Sequence, residues 1–249
     1  MKSQIFIIFF LLLTLQIAAQ SFKQEQKKYP RVRTAYAEKE TEIKNLLLQN
    51  GLNTENLRVY IRAFKLEKKL ELWAKNTQDT TYKLLQKYDI CLTSGRLGPK
   101  RKQGDLQIPE GFYHISRFNP YSNFYLSLGI NYPNASDRIL SDKTAPGGDI
   151  FIHGDCVTIG CIPITNDYIK ELYLICIDAK NSGQDNIPVT IFPSRLDRDR
   201  YDALCIKYND DKDKLALWSD LKNGYDIFNR TKQLPNIVFL ANGRHTVTE

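Results

Sequence analysis

A chain of 249 residues with 42% apolar and 25% charged side chains can bury a sizeable core in one domain, and that balance excludes wholesale disorder. The formal charge of +7 favours an anionic partner, but the basic residues are scattered among acids and no nucleic-acid motif is visible, so nucleic acid is not an expected partner.

Lys2 precedes a nearly unbroken apolar run from Ile5 to Leu15, followed by the small-residue stretch Ile17-Ala18-Ala19-Gln20-Ser21. The run is shorter than the roughly 20 residues a spanning helix needs. Residues 1–20 therefore read as a cleaved secretory signal, which implies an exported protein of the periplasm or cell envelope with no stable membrane anchor. Ser21 to Lys28 reads as a loose polar leader. Val32, Ala35, Tyr36, Ile43, Leu46 and Leu47 then recur at helical spacing, with Gly51 as the stop.

Leu57 to Phe64 and Leu70 to Ala74 alternate as a hairpin across the charged turn Lys65 to Lys69, with Trp73 as an edge anchor. Tyr82 to Leu92 supplies a third strand, in which Cys91 reads as an inert core residue. Leu97 to Gly111 is a loop carrying Lys100-Arg101-Lys102, the densest positive patch of the chain. That patch reads either as a solvated tip or as a clamp for carboxylates. Phe112 to Phe118 and Phe124 to Ile130 are two further strands, with His114 structural. Asn131 to Ser136 and Lys143 to Gly148 read as loops, with Tyr132 at a cleft edge.

Gly148 to Asp167 carries the chemistry. Ile150 and Ile152 alternate with Phe151 and His153, a buried strand that delivers the imidazole at its end, and Gly154 turns the chain. Gly160 precedes Cys161, and the amides of these two residues are candidate oxyanion donors. Cys161 is the candidate nucleophile, His153 the base that activates it and Thr158 the orienting third group. Cys156 is a rival nucleophile and a candidate disulfide partner for Cys161. His153, Asp155, Cys156 and Cys161 are zinc-type ligands, but their spacing matches no standard zinc module, so no metal is expected. The cysteine count of five leaves at least one thiol unpaired or paired between chains.

Thr165 is a good N-cap, and Ile169, Leu172, Tyr173, Cys176 and Ala179 mark the buried face of a helix ended by Gly183. Cys176 reads as inert core. A strand at Pro188 to Phe192, helices at Arg198 to Cys205 and Asp211 to Asn223, and a short apolar run at Ile237 to Leu240 complete the chain. His245 lies outside any basic role in catalysis.

The run IFIHGDCVTIGCIPITND resembles the signature of the L,D-transpeptidases, the YkuD-type cysteine enzymes of bacterial cell walls, and most closely their YafK-like branch. Lys65 to Trp73, Ser94 to Tyr113 and Ser127 to Asp137 resemble the same branch. Ile159 stands where many members have His or Arg, and Pro163 where many have Arg. The resemblance implies an α+β fold, a mostly β catalytic domain of YkuD sandwich type with flanking helices. It divides the chain into a leader and helix at 21–55, a catalytic domain at 56–195 and a C-terminal helical extension at 196–249 packed on the same domain.

It also implies acyl transfer on peptidoglycan stem peptides through a Cys161 thioester, without a cofactor, with His153 as base, Thr158 orienting and the Gly160 amide stabilising the oxyanion. From the residues themselves, Lys100 and Arg101 of the basic loop and Tyr132 at the cleft edge are the candidate substrate contacts. Two alternatives accompany this reading. One is a hydrolase or amidase of the same family that releases D-alanine or a wall-linked lipoprotein, which makes such a lipoprotein a further implied partner. The other is a non-catalytic wall-binding module.

Overall fold

The computed structural model describes residues 21–249, so the expected signal segment lies outside the described residues. Two helices open the chain, α1 (Phe22–Gln26) and α2 (Pro30–Gln49), followed by strands β1 (Leu57–Phe64), β2 (Lys69–Asn76), β3 (Lys83–Asp89), β4 (Gly111–Asn119) and β5 (Ser127–Ile130). A short helix α3 (Ala135–Leu140), strands β6 (Phe151–His153) and β7 (Ile162–Pro163), helix α4 (Asn166–Asn181) and strand β8 (Ile187–Phe192) come next. Helices α5 (Arg198–Lys207) and α6 (Lys212–Thr231) precede a terminal hairpin, β9 (Asn236–Phe239) and β10 (His245–Thr248).

The fold is α+β, with one large curled sheet and helices around it. The sheet has eight strands in the order β3-β2-β1-β8-β4-β5-β6-β7, and only the β1·β8 and β6·β7 pairs are parallel. Helices α2 and α4 share the main core with the sheet: Val32, Ala35 and Leu47 meet Leu172, Cys176 and Ala179, all essentially sealed from solvent. Cys176 is thus the inert core residue its helical position predicts, and burial pushes its thiol well up. A second apolar cluster joins Phe64, Phe112 and Phe192 of the sheet to Leu204 on α5 and Trp218, Leu221 and Tyr225 on α6.

Three local expectations are corrected. The stretch Ser21 to Lys28 is not a loose leader: Ser21 caps α1 in a capping box, Lys23 pairs with Asp178 at 2.7 Å, and the buried Gln26 accepts a hydrogen bond from Tyr173 at 2.8 Å. Residues after Pro133 do not stay loop. Asn134 and Asp137 form a reciprocal capping box that starts α3. The charged turn that begins at Lys65 is not open throughout: the Lys65 ammonium is buried against Glu110 at 2.8 Å and also donates to the carbonyls of Arg96, Gly98 and Ile108. Glu110 in turn accepts from the Gly98 amide and, at 2.6 Å, from the Trp218 indole of α6.

Candidate active site

Strand β6 ends on His153, which pairs across to Ser127 of β5 and is 1% exposed. The ring lies against Phe124, with centroids 4.6 Å apart. Its Nδ1 sits 2.5 Å from the Gly154 carbonyl oxygen. A carbonyl can only accept, so Nδ1 carries the proton and Nε2 is left as the free base. Gly154 is required here, because a Cβ at that position would sit 2.3 Å from Asn166 Oδ1 and 2.9 Å from the Phe124 carbonyl oxygen. Asn166, the first residue of α4, uses the same Oδ1 to accept from the Asp155 amide at 2.9 Å. The helix behind the turn therefore grips it directly.

The turn from 154 to 161 is held at three more points. Thr158 Oγ1 accepts from the amides of Gly160 (3.1 Å) and Cys161 (2.9 Å) and donates to the Cys161 carbonyl at 2.8 Å. Thr158 thus braces the turn that leads into Cys161, and the two amides expected to face an oxyanion are engaged with its hydroxyl in this structure. Gly160 has φ +140°, and a Cβ there would stand 3.1 Å from the Gln107 carbonyl oxygen. The third point is a disulfide, Cys91–Cys156, which ties the turn to the chain just after β3.

That bond corrects two expectations. Cys91 is not an inert core thiol, and Cys156 is neither a rival nucleophile nor the partner of Cys161, which stays free. With Cys156 in a disulfide, the zinc-type set around His153 is dismantled as well, since the ligand form of cysteine is the thiolate. The bond closes a separation of 65 residues, so a Cys91→Ser/Cys156→Ser double variant is expected to lose about 2–4 kcal/mol of stability. Chemical denaturation measures that loss, and hydrogen exchange should speed up first in residues 155–161.

Cys161 Sγ is partly buried and sits 3.5 Å from the Asp149 carbonyl oxygen, which accepts from the thiol. Burial pushes the thiol up, a trend the Asp149 carboxylate supports and the Phe151 amide and Lys100 oppose. Burial likewise lowers His153, against smaller raising effects from its bond to Gly154 and from Asp155. Burial thus disfavours the charged form of both groups.

Two depressions meet at Cys161. An open cleft of about 550 Å³ is lined by Lys100, Leu106, Pro146, Asp149, Ile159 and Cys161 among others. A smaller, almost wholly apolar pocket of about 170 Å³ is lined by Phe124, His153, Val157, Thr158, Ile159 and Cys161. Ile159 is 79% exposed at the rim they share. Of the three residues expected to contact substrate, Lys100 lines the cleft, with its ammonium 2.5 Å from Asp105. Arg101 is turned toward Asp213 (3.0 Å) and Asp137 (3.7 Å). Tyr132 is buried, donates to Pro146 O at 2.9 Å, and lines a neighbouring groove.

Sequence reasoning missed Phe124, Asn166, Asp149 and the Cys91–Cys156 bond. Asn166 carried a readable signal, an amide side chain at the first turn of the helix that follows Cys161.

The chain belongs to the L,D-transpeptidases: residues 58–191 match the YkuD family, the L,D-transpeptidase catalytic domain. Membership implies an enzyme of the cell envelope with peptidoglycan as its substrate class. The chain is 40% identical over 193 residues, 77% of its length and 74% of the relative's, to YafK of Escherichia coli K12, which is named as an L,D-transpeptidase by inference. The same values hold for YafK of Escherichia coli O157:H7. Among solved structures it is similar to the helical cell shape determining protein Pgp2 of Campylobacter jejuni (TM-score 0.43, 19% identity, 80% of each chain). It is also similar to Bd1075 of Bdellovibrio bacteriovorus (TM-score 0.40, 20% identity, 75% of this chain and 78% of that one).

Proposed function

We propose that the protein is an exported cysteine acyltransferase that works on peptidoglycan stem peptides through a Cys161 thioester. The observation that carries this reading is the meeting of the Cys161 thiol and the His153 imidazole in one apolar pocket at the end of an open cleft. Cys161 Sγ attacks the carbonyl of the stem's diaminoacid as His153 Nε2 takes the thiol proton. The tetrahedral intermediate then expels the amine of the terminal D-alanine, which takes the proton back from His153. An amine of a second stem attacks the thioester and restores the thiol.

Thr158 holds the turn that presents Sγ. The Gly160 amide is the oxyanion donor, exchanging its bond to Thr158 for the developing negative charge. Lys100 contacts substrate from the cleft wall with its ammonium still paired to Asp105. Water as the acyl acceptor gives hydrolysis from the same thioester, and a wall-linked lipoprotein as the leaving amine gives its release.

Incubation with disaccharide tetrapeptides followed by mass analysis tests this. Cross-linked dimers with loss of D-alanine support transfer, and tripeptide without dimers supports hydrolysis. Absence of any acyl adduct on Cys161 with tetrapeptide or with lipoprotein-linked wall sinks the proposal.

The pH profile follows from the two shifted groups. His153 must be unprotonated to accept the thiol proton, and burial sets its pKa below the ordinary value of about 6.5. Acylation is expected to fall only as pH drops through that lowered value and to be level above it. Iodoacetamide labelling of Cys161 in a His153→Ala variant should rise only at pH above the ordinary cysteine range, because burial pushes the thiol up. An acylation rate that tracks thiolate formation in the wild type would contradict general-base catalysis.

A further inference from the structure

We propose that the groove beside the catalytic cleft, between Arg117 and Arg138, is a subsite for a carboxylate of the substrate; that the substrate is a stem peptide rests on the acyl-transfer reading. The groove measures about 380 Å³ and is lined by Ser116, Arg117, Asn131, Tyr132, Arg138 and Asp149 among others. It shares Asp149 and Ile150 with the cleft that opens on Cys161, so one extended ligand spans both.

Two cations face one acid in this groove. Arg117 donates to Asp149 Oδ1 at 2.7 Å while its guanidinium rests 4.7 Å from the centre of the Phe151 ring. Arg138 is exposed on α3, and among the described residues no carboxylate lies within ion-pairing distance of it and no hydrogen bond from its guanidinium is formed. Of the cations that line the cleft and the groove, Lys100 is paired with Asp105 and Arg117 with Asp149. The charge available to an anionic ligand is therefore the Arg138 fork, whose planar donors match a carboxylate in a bidentate manner.

Asp149 ties this groove to the reacting sulfur. It is one of the few non-glycine residues in the left-handed region, at φ +53°, and that bend lets its carbonyl oxygen accept from Cys161 while its carboxylate holds Arg117. A carboxylate seated against Arg138 and the far edge of Arg117 fixes the peptide with its next carbonyl directed along the cleft toward Sγ. Arg138 and Arg117 are thus specificity residues that select stems with a free acid over stems in which that acid is an amide.

The test uses two stem tetrapeptides that differ only in carrying a free carboxylate or a carboxamide on the residue before the diaminoacid. Binding is measured by calorimetry to the full chain with Cys161→Ala, so that no turnover intervenes. The carboxylate peptide is expected to bind about tenfold more tightly, as a charge-assisted pair warrants. Adding Arg138→Ala should erase most of that difference, and Arg138→Lys should keep part of it. Arg138 holds no ion pair in the fold, so its variants should melt as the parent does. Equal affinity for the two peptides, no binding of either, or a preference that survives loss of both arginines overturns the subsite. Should the Cys161→Ala chain show the preference while the wild type forms no acyl-enzyme from either peptide, the acyl-transfer reading falls and the subsite stands.

Discussion

Cys161→Ala is expected to abolish formation of the acyl-enzyme and to lower turnover of tetrapeptide stems by about 10⁴-fold or more, with the fold intact. Among the described residues Cys161 is the free cysteine that lines the cleft, since Cys156 is held in a disulfide and Cys176 is sealed in the core. Alanine in place of a partly exposed cysteine removes one sulfur that touches the Asp149 carbonyl, so the expected change in stability is small. His153→Ala should cost less, about 10²- to 10⁴-fold, because the nucleophile remains and only the proton acceptor is gone. Intact-mass spectrometry after mixing with substrate reads both. A residual acyl adduct in Cys161→Ala would move the nucleophile elsewhere.

Lys65→Ala carries the largest expected loss of stability, about 3–5 kcal/mol. Removing the ammonium strands the Glu110 carboxylate, which is fully buried, with the Gly98 amide and the Trp218 indole as its remaining donors. It also leaves the carbonyls of Arg96 and Ile108 without their donor. The loss should not stay local, because this ion pair joins the end of β1, the loop that contains Lys100, and α6. Urea unfolding followed by tryptophan fluorescence is suited to the measurement, since Trp218 itself bonds to Glu110. A Lys65→Ala/Glu110→Gln double variant should recover part of the loss. A single variant within about 1 kcal/mol of the parent would show that water or rearrangement satisfies the carboxylate.

The candidate site was largely legible because its parts are adjacent in sequence. The alternation from Ile150 to His153, the glycines at 154 and 160 and the Thr165 cap each act within a few residues, and the strand, turn and helix they predict are the ones observed. The β1–β2 hairpin and α2 were readable for the same reason. What was hidden is long-range. Cys91 and Cys156 meet only because β3 runs back beside the turn, and no spacing rule pairs two cysteines 65 residues apart. The burial of Lys65 is not visible in its charged sequence neighbours, because its partner Glu110 arrives from another part of the chain. The Lys100-Arg101-Lys102 patch looked free because Asp213, which takes Arg101, lies on α6. The capping box that starts α3 was local and was overlooked, with Pro133 drawing attention to the loop before it.

The strand order carries a consequence for how the chain comes together. Strands β1 to β3 form one ribbon and β4 to β7 another, and in the sheet the two are joined only through β8, which lies between β1 and β4. Residue 192 must therefore emerge from the ribosome before the ribbons can be stitched into one sheet. Until then each carries an open edge and the contacts that remain to be made are distant in sequence, conditions that slow folding. Late stitching means that the sheet on which Cys161 and His153 sit is completed only once most of the chain has been synthesised.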